Sequence, residues 1–158
     1  MSDAKRMLAA LGRVPSGLFI VTVRHGEMET GLLASWVQQC SFEPPRISLA
    51  VKCGRDVLDW LVPDTLFTVN ILDRDQTDMI AHFGRGFNLS EPAFTGLAIS
   101  RPAGAPPVLD EALAYLVCRV AARYPAGDHD LVLGELTAGQ VLGDSQPMVH
   151  VRKTGAHY

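Results

Sequence analysis

Three short segments of this sequence carry residues able to do chemistry. In Gly31-Leu32-Leu33-Ala34-Ser35-Trp36-Val37-Gln38-Gln39-Cys40-Ser41 a line of hydrogen-bonding side chains interrupts an apolar strand pattern, which then closes on Phe42-Glu43-Pro44-Pro45. Such an edge suits a flat heterocycle. Backbone groups can meet the polar rim of the ring, Trp36 or Val37 supplies apolar surface, and Ser35 or Ser41 can donate to a phosphate or a sugar-alcohol chain. The same alternation also fits an ordinary strand with one face in water.

The second segment, Lys52-Cys53-Gly54-Arg55-Asp56, sets two cations and a glycine at an expected helix N-terminus, where free backbone N–H groups favour an anion. Arg55 can hold a phosphate through two parallel hydrogen bonds, whereas Lys52 offers a point charge. The alternative is a solvated loop in which Asp56 starts the helix. In the third segment, Gly127-Asp128-His129-Asp130, carboxylates flank a histidine and would favour its protonated form by charge. A polar turn accounts for the same residues.

Common nucleotide signatures are missing: no GxGxxG opens a helix after a strand, and there is no GxxxxGK[ST]. A nucleotide would need another cradle. Cys40, Cys53 and Cys118 lack the paired spacing of a zinc site or a disulfide framework, so they are expected as reduced thiols, with Cys118 packed. No metal is expected.

These segments must be positioned by a small core. At 158 residues the chain fits one domain, spanning 1–158, and 47% hydrophobic with 20% charged residues is a globular composition. No apolar run is long enough to cross a bilayer, and no signal-peptide pattern follows the charged N-terminus, so a cytoplasmic protein is expected. A net charge of -3 with scattered basic residues argues against a nucleic-acid partner.

Strands dominate the expected elements. They are placed at Leu18–Arg24, from Met28 onward, at Arg46–Lys52, Leu66–Leu72, Ala112–Tyr124 and Leu131–Leu142, and near Met148–Arg152. Short helices are expected over Asp3–Leu11, Arg55–Leu61 and Gln76–Phe83. Gly84–Pro107 is expected to be mostly irregular, with one strand around Leu97 and Ile99. Successive strands on short turns, without strand-helix alternation, favour a mainly β, antiparallel barrel.

The chain resembles the flavin reductase-like FMN-binding domains from Pro15-Ser16-Gly17-Leu18-Phe19-Ile20-Val21-Thr22 to Tyr158. The motifs come in that family's order: Gly31 to Ser41, Phe42-Glu43-Pro44-Pro45, Phe67 to Leu72, Pro107-Val108-Leu109-Asp110, Ala112 to Leu116 with Cys118, and Gly127-Asp128-His129. Ala34-Ser35-Trp36-Val37 and Arg152 to Tyr158 look especially like the C-terminal reductase domain of diflavin flavoproteins, here expected to stand alone.

The resemblance implies an antiparallel split β-barrel with a few short helices, forming a homodimer with FMN near the subunit interface. It implies that Ser35, Trp36, Val37 and Gln38 border the flavin, with Ser41 nearby and Arg55 at the phosphate, where the residues themselves offer Lys52 as the second cation. His129 would face the nicotinamide of NADH or NADPH. The departures are Trp36 and Gln39, where many relatives carry serine or threonine, and Cys53-Gly54, where a basic or hydroxyl residue is common. The expected activity is hydride transfer from NAD(P)H to flavin, with free flavin, a ferric complex, oxygen or a redox partner protein downstream. A noncatalytic FMN carrier or electron-relay module is the alternative.

Overall fold

A computed structural model describes residues 1–158. Helix α1 (Asp3–Leu11) starts at Ser2, whose hydroxyl accepts from the Lys5 N–H at 3.3 Å, and ends at Gly12. Strands β1 (Ser16–Gly17), β2 (Phe19–His25), β3 (Met28–Ala34), β4 (Val37–Ser41) and β5 (Arg46–Lys52) follow on short connections. After a single 3-10 turn at Asp56–Asp59 come β6 (Leu66–Ile71) and helix α2 (Thr77–Gly84). Beyond α2 the chain forms β7 (Ile99–Ser100), a second 3-10 turn, β8 (Val108–Leu109), the long β9 (Ala114–Pro125) and β10 (His129–Val141), and β11 (Val149–His150).

Seven strands form one antiparallel sheet in the order β3-β2-β6-β9-β10-β5-β4. Its two edges, β3 and β4, are consecutive in the chain and separated only by Ser35 and Trp36. Laid flat, six inter-strand steps of about 4.8 Å would hold those edges roughly 29 Å apart. Three residue steps reach at most about 11 Å. The sheet must therefore curl until its edges nearly meet, which makes a barrel left split along one seam.

Strand patterns follow from this closure. In β2, Val21 and Val23 point into the barrel with Leu49, Phe67, Val69, Val120 and Val132, while Ile20 packs outward with Leu72, Phe83 and Leu109. Both faces of β2 are buried from Ile20 to Val23, so its sequence is a near-continuous apolar run broken only by Thr22 and not an alternating one. Val57, Leu58, Trp60 and Leu61, from the 3-10 turn and the residues just after it, join the barrel interior.

The segment after α2 is irregular yet fixed. Thr22 donates to the Pro107 carbonyl at 2.6 Å and Thr68 to the Pro106 carbonyl at 2.9 Å. Asn70 donates to the Ile20 carbonyl at 3.1 Å and accepts from the Leu109 N–H at 2.8 Å. The buried polar residues of β2 and β6 thus hold the covering loop, and no buried side-chain polar atom lacks a partner. No helix is long and apolar enough to cross a membrane.

Most expected elements appear within a few residues, and Arg46–Lys52 and Asp3–Leu11 appear with the same bounds. Two expectations are corrected. The helix after Lys52 is only a four-residue 3-10 turn that begins at Asp56 and is capped by Arg55 without a side-chain hydrogen bond, so no strong helix dipole faces the cations. His129 is the first residue of β10 and not an exposed turn residue: the turn closes just before it, with the Ala126 N–H donating to its carbonyl at 2.8 Å.

Candidate functional site

The seam of the barrel opens on a cavity of about 570 Å³, within the ~300–1,000 Å³ usual for cofactor sites. Its apolar wall is built by Leu18, Leu32, Leu33, Ala34 and Phe83, and its polar groups include Ser35, Lys52, Arg55 and Arg85. A second cavity of about 540 Å³ adjoins it and extends to Thr30, Cys53 and Asn88. Leu32, Lys52, Arg55, Arg85 and Gly86 line both, so the cations mark the junction.

Topology explains why these groups converge. Ser35 and Trp36 cross the seam, and the Trp36 carbonyl accepts from the Ala50 N–H at 3.1 Å, which ties the crossing to β5. Lys52 ends β5 opposite His129, and the Cys53 N–H donates to the Asp128 carbonyl at 2.9 Å. The end of β5 and the β9–β10 turn are thereby fixed at one corner of the cleft.

An aromatic cluster stands on the Trp36 side. The Trp36 ring lies 4.7 Å from the His129 ring and 5.2 Å from the Tyr158 ring, centroid to centroid. The Arg152 guanidinium lies 5.1 Å from the Trp36 centroid, close enough for a cation–π contact. His129 is 7% exposed, and both its ring nitrogens are engaged: Nδ1 with the Asp128 carboxylate at 2.7 Å, Nε2 with the Tyr158 hydroxyl. The contact with His129 holds the Asp128 carboxyl below its usual range. Partial burial pushes the Tyr158 phenol up.

Of the residues singled out from sequence, Ser35, Trp36, Lys52 and Arg55 share the cavity wall. Val37, Gln38 and Ser41 lie on β4, outside that wall, with Gln38 exposed and the other two half-buried. His129 sits behind Trp36 and Tyr158 and does not line the cavity itself. Cys118 is packed in the barrel, and burial pushes its thiol up to about 12, so it is inert.

Two wall residues escaped the sequence reading. Arg85 follows α2, lies 4.0 Å over the Phe87 ring and meets Glu91 at 3.3 Å, so it is partly braced toward the cleft. The glycines on either side of it were its only signal, since they let the backbone turn there, Gly86 with φ of +78°. Tyr158 meets His129 from 29 residues away, a contact no local pattern announces.

The residues fit a flavin phosphate cofactor. The apolar wall can take a ring and Ser35 its polar rim, while Lys52 and Arg55, which make no ion pair of their own, stand free for a phosphate.

Comparison with known proteins agrees with this architecture. The model of the flavin reductase like domain matches residues 11–156. Diflavin flavoprotein A 1 of Synechocystis is 36% identical over 151 residues, which are 94% of this chain and 26% of that protein. The chain thus spans about a quarter of the length of the curated relatives it matches. Among solved structures, the NADH:FAD oxidoreductase SgcE6 of Streptomyces globisporus C-1027, in complex with NAD and FAD fragments, superposes with a TM-score of 0.80 at 24% identity, covering 93% of this chain and 86% of that one. The styrene monooxygenase flavin reductase of Pseudomonas putida S12 gives 0.76 at 23%, covering 90% of each chain. At those identities the structural likeness is one of fold. The family model, however, spans nearly the whole chain, including the seam and the β9–β10 turn, and on that match the chain belongs to the flavin reductase like domain family.

Proposed function

We propose that this chain binds FMN in the seam and passes electrons from NADH or NADPH to it, as a flavin reductase. The observation that carries this is the cleft itself. One end is an apolar and aromatic slot formed by the β3–β4 crossing, and the other is a junction lined by three cations. A flat ring with a phosphate tail matches both ends.

Bound FMN would supply the ring that accepts hydride. The chain supplies position and electrostatics. Leu32, Leu33 and Phe83 exclude water from one side of the slot, Ser35 offers a hydroxyl at its rim, and Arg55 and Lys52 hold the phosphate. Val37, Gln38 and Ser41, on the neighbouring edge strand, would border the flavin from outside this wall. His129, oriented by Asp128, is the group assigned to the nicotinamide side.

We also infer a homodimer. The edge strand β4 has no neighbour beyond it, and Phe42 at its end is 89% exposed, features that a second copy would cover. The acceptor after FMN is free flavin, a ferric complex, oxygen or a redox partner protein. The test is FMN-dependent oxidation of NADH and NADPH by the purified chain, alongside a fluorescence titration of FMN. Saturable FMN binding with nicotinamide oxidation that requires it supports the assignment, and binding without oxidation makes the chain an FMN carrier.

A further inference from the structure

We propose that Tyr158 is a gate on this site: a nicotinamide reaches His129 only by displacing the Tyr158 phenol. The proposal rests on the flavin reductase assignment and deepens it.

The first support is the satisfaction of the imidazole. Asp128 is an acceptor, so in the neutral ring the proton sits on Nδ1, and Nε2 accepts from the Tyr158 O–H. If the ring is protonated, Nε2–H donates to the phenol oxygen instead. Either way no ring nitrogen is left for a carboxamide, and at 7% exposure His129 has no other open approach.

The second support is the way the tail is held. Its base is stitched to α1 and the residue after it: the Arg152 N–H donates to the Gly12 carbonyl at 3.0 Å, and the Gly155 N–H to the Leu8 carbonyl at 2.6 Å. A Cβ on Gly155 would come within 2.6 Å of Leu11, so the tail lies against the helix at van der Waals range. Beyond Gly155 the fastenings are slight. The Arg152 side chain donates to the His157 carbonyl at 3.2 Å, and Tyr158 itself is held by His129 and the face of Trp36. Tyr158 is 57% exposed although it lines the cavity. Tyr158 lies three residues past Gly155, a reach of about 10 Å, so the phenol can leave the cleft while Gly155 stays against α1.

A closed gate lowers apparent affinity by the fraction of molecules that are open. Removing the hydroxyl while keeping the ring should raise that fraction. In Tyr158→Phe, titrated with NAD+ and NADP+ after loading with FMN, the dissociation constant of the preferred nucleotide should fall about three- to tenfold, a tenfold change being about 1.4 kcal/mol. FMN affinity is titrated in the same variants, because Tyr158 also lines the cavity, so that a change in flavin binding is read separately from the change in nicotinamide binding. Tyr158→Ala should tighten nicotinamide binding at least as much, and in the ligand-free protein it should change the Trp36 fluorescence.

An unchanged nicotinamide constant in both variants overturns the gate. A weaker constant overturns it too, and makes Tyr158 part of the nicotinamide site. Both results are distinct from failure of the flavin reductase assignment, in which FMN-loaded wild type binds neither nucleotide and is reduced by neither; that outcome removes the gate as well.

Discussion

Ala34 and Val37 lie on opposite edges of the seven-stranded sheet although only Ser35 and Trp36 separate them in the chain. Closure of the barrel and construction of the cleft are therefore one event. The link that brings the edges together is also the wall of the site, so any ligand in the seam touches backbone fixed by the whole fold.

The cations at the junction should discriminate FMN from riboflavin. Arg55→Ala should weaken FMN binding by on the order of 1.5–3 kcal/mol, more than tenfold, and leave riboflavin nearly unaffected. Fluorescence titration of both flavins measures this. Equal affinities of the wild type for the two would remove the phosphate site.

Removing the imidazole should separate flavin binding from reduction. His129→Ala should keep FMN affinity within about twofold and slow reduction at saturating NAD(P)H by about ten- to a hundredfold, the usual scale for losing a positioning contact. Because His129 anchors Tyr158, combining it with Tyr158→Phe should give a nonadditive change in nicotinamide affinity. Stopped-flow rates across nicotinamide concentrations give both quantities, and wild-type rates in His129→Ala would make the residue purely structural.

Glu29 gives the fold a pH signature. Its carboxylate accepts from Arg101 at 2.8 and 2.7 Å and from Arg24 at 2.9 Å, pinning the covering loop to the β2–β3 hairpin. The Arg101 hydrogen bonds, with those of Arg24, hold its pKa below the ordinary 4.5. The stabilisation is therefore complete above pH 4.5 and is lost as pH falls through the lower folded value. Glu29→Gln should cost about 1 kcal/mol at neutral pH, allowing for solvent screening, and nothing once the wild-type carboxylate is protonated. Denaturant melts at neutral and acid pH check this, and a difference that persists in acid would assign the effect to packing.

Gly31 carries a packing constraint at the site. A Cβ there would come within 2.7 Å of the Phe83 ring, which lines the cleft. Gly31→Ala should cost about 1–3 kcal/mol and weaken FMN binding as Phe83 shifts. Thermal melts and the FMN titration report the two effects, and an unchanged melting temperature would show that Phe83 yields freely.

Much of this was legible in the sequence where the cause is local. Arg46–Lys52 reads as a strand because β-branched and apolar residues follow a Pro-Pro break, and Asp3–Leu11 as a helix because Gly12 stops its periodicity. Ser35, Trp36, Lys52 and Arg55 stood out by residue type. What stayed hidden depends on closure. No local pattern shows that Ser35-Trp36 crosses a seam, since the strand run on either side reads as continuous. Arg85 stood in a stretch read as irregular, and its role follows from Gly84, Arg85 and Gly86 lining the same cavity as Ala50, Val51 and Lys52 of β5, which only folding brings about. Tyr158 gains its meaning from His129, buried 29 positions earlier.

Anaerobic stopped-flow mixing of the FMN-loaded chain with NADH, and separately with NADPH, tests the central claim most directly. The flavin absorbance should bleach with at least one of them in a single turnover, with a rate that saturates in nicotinamide. Flavin that stays oxidised at saturating concentrations of both would contradict the account and leave the seam as a site for holding FMN alone.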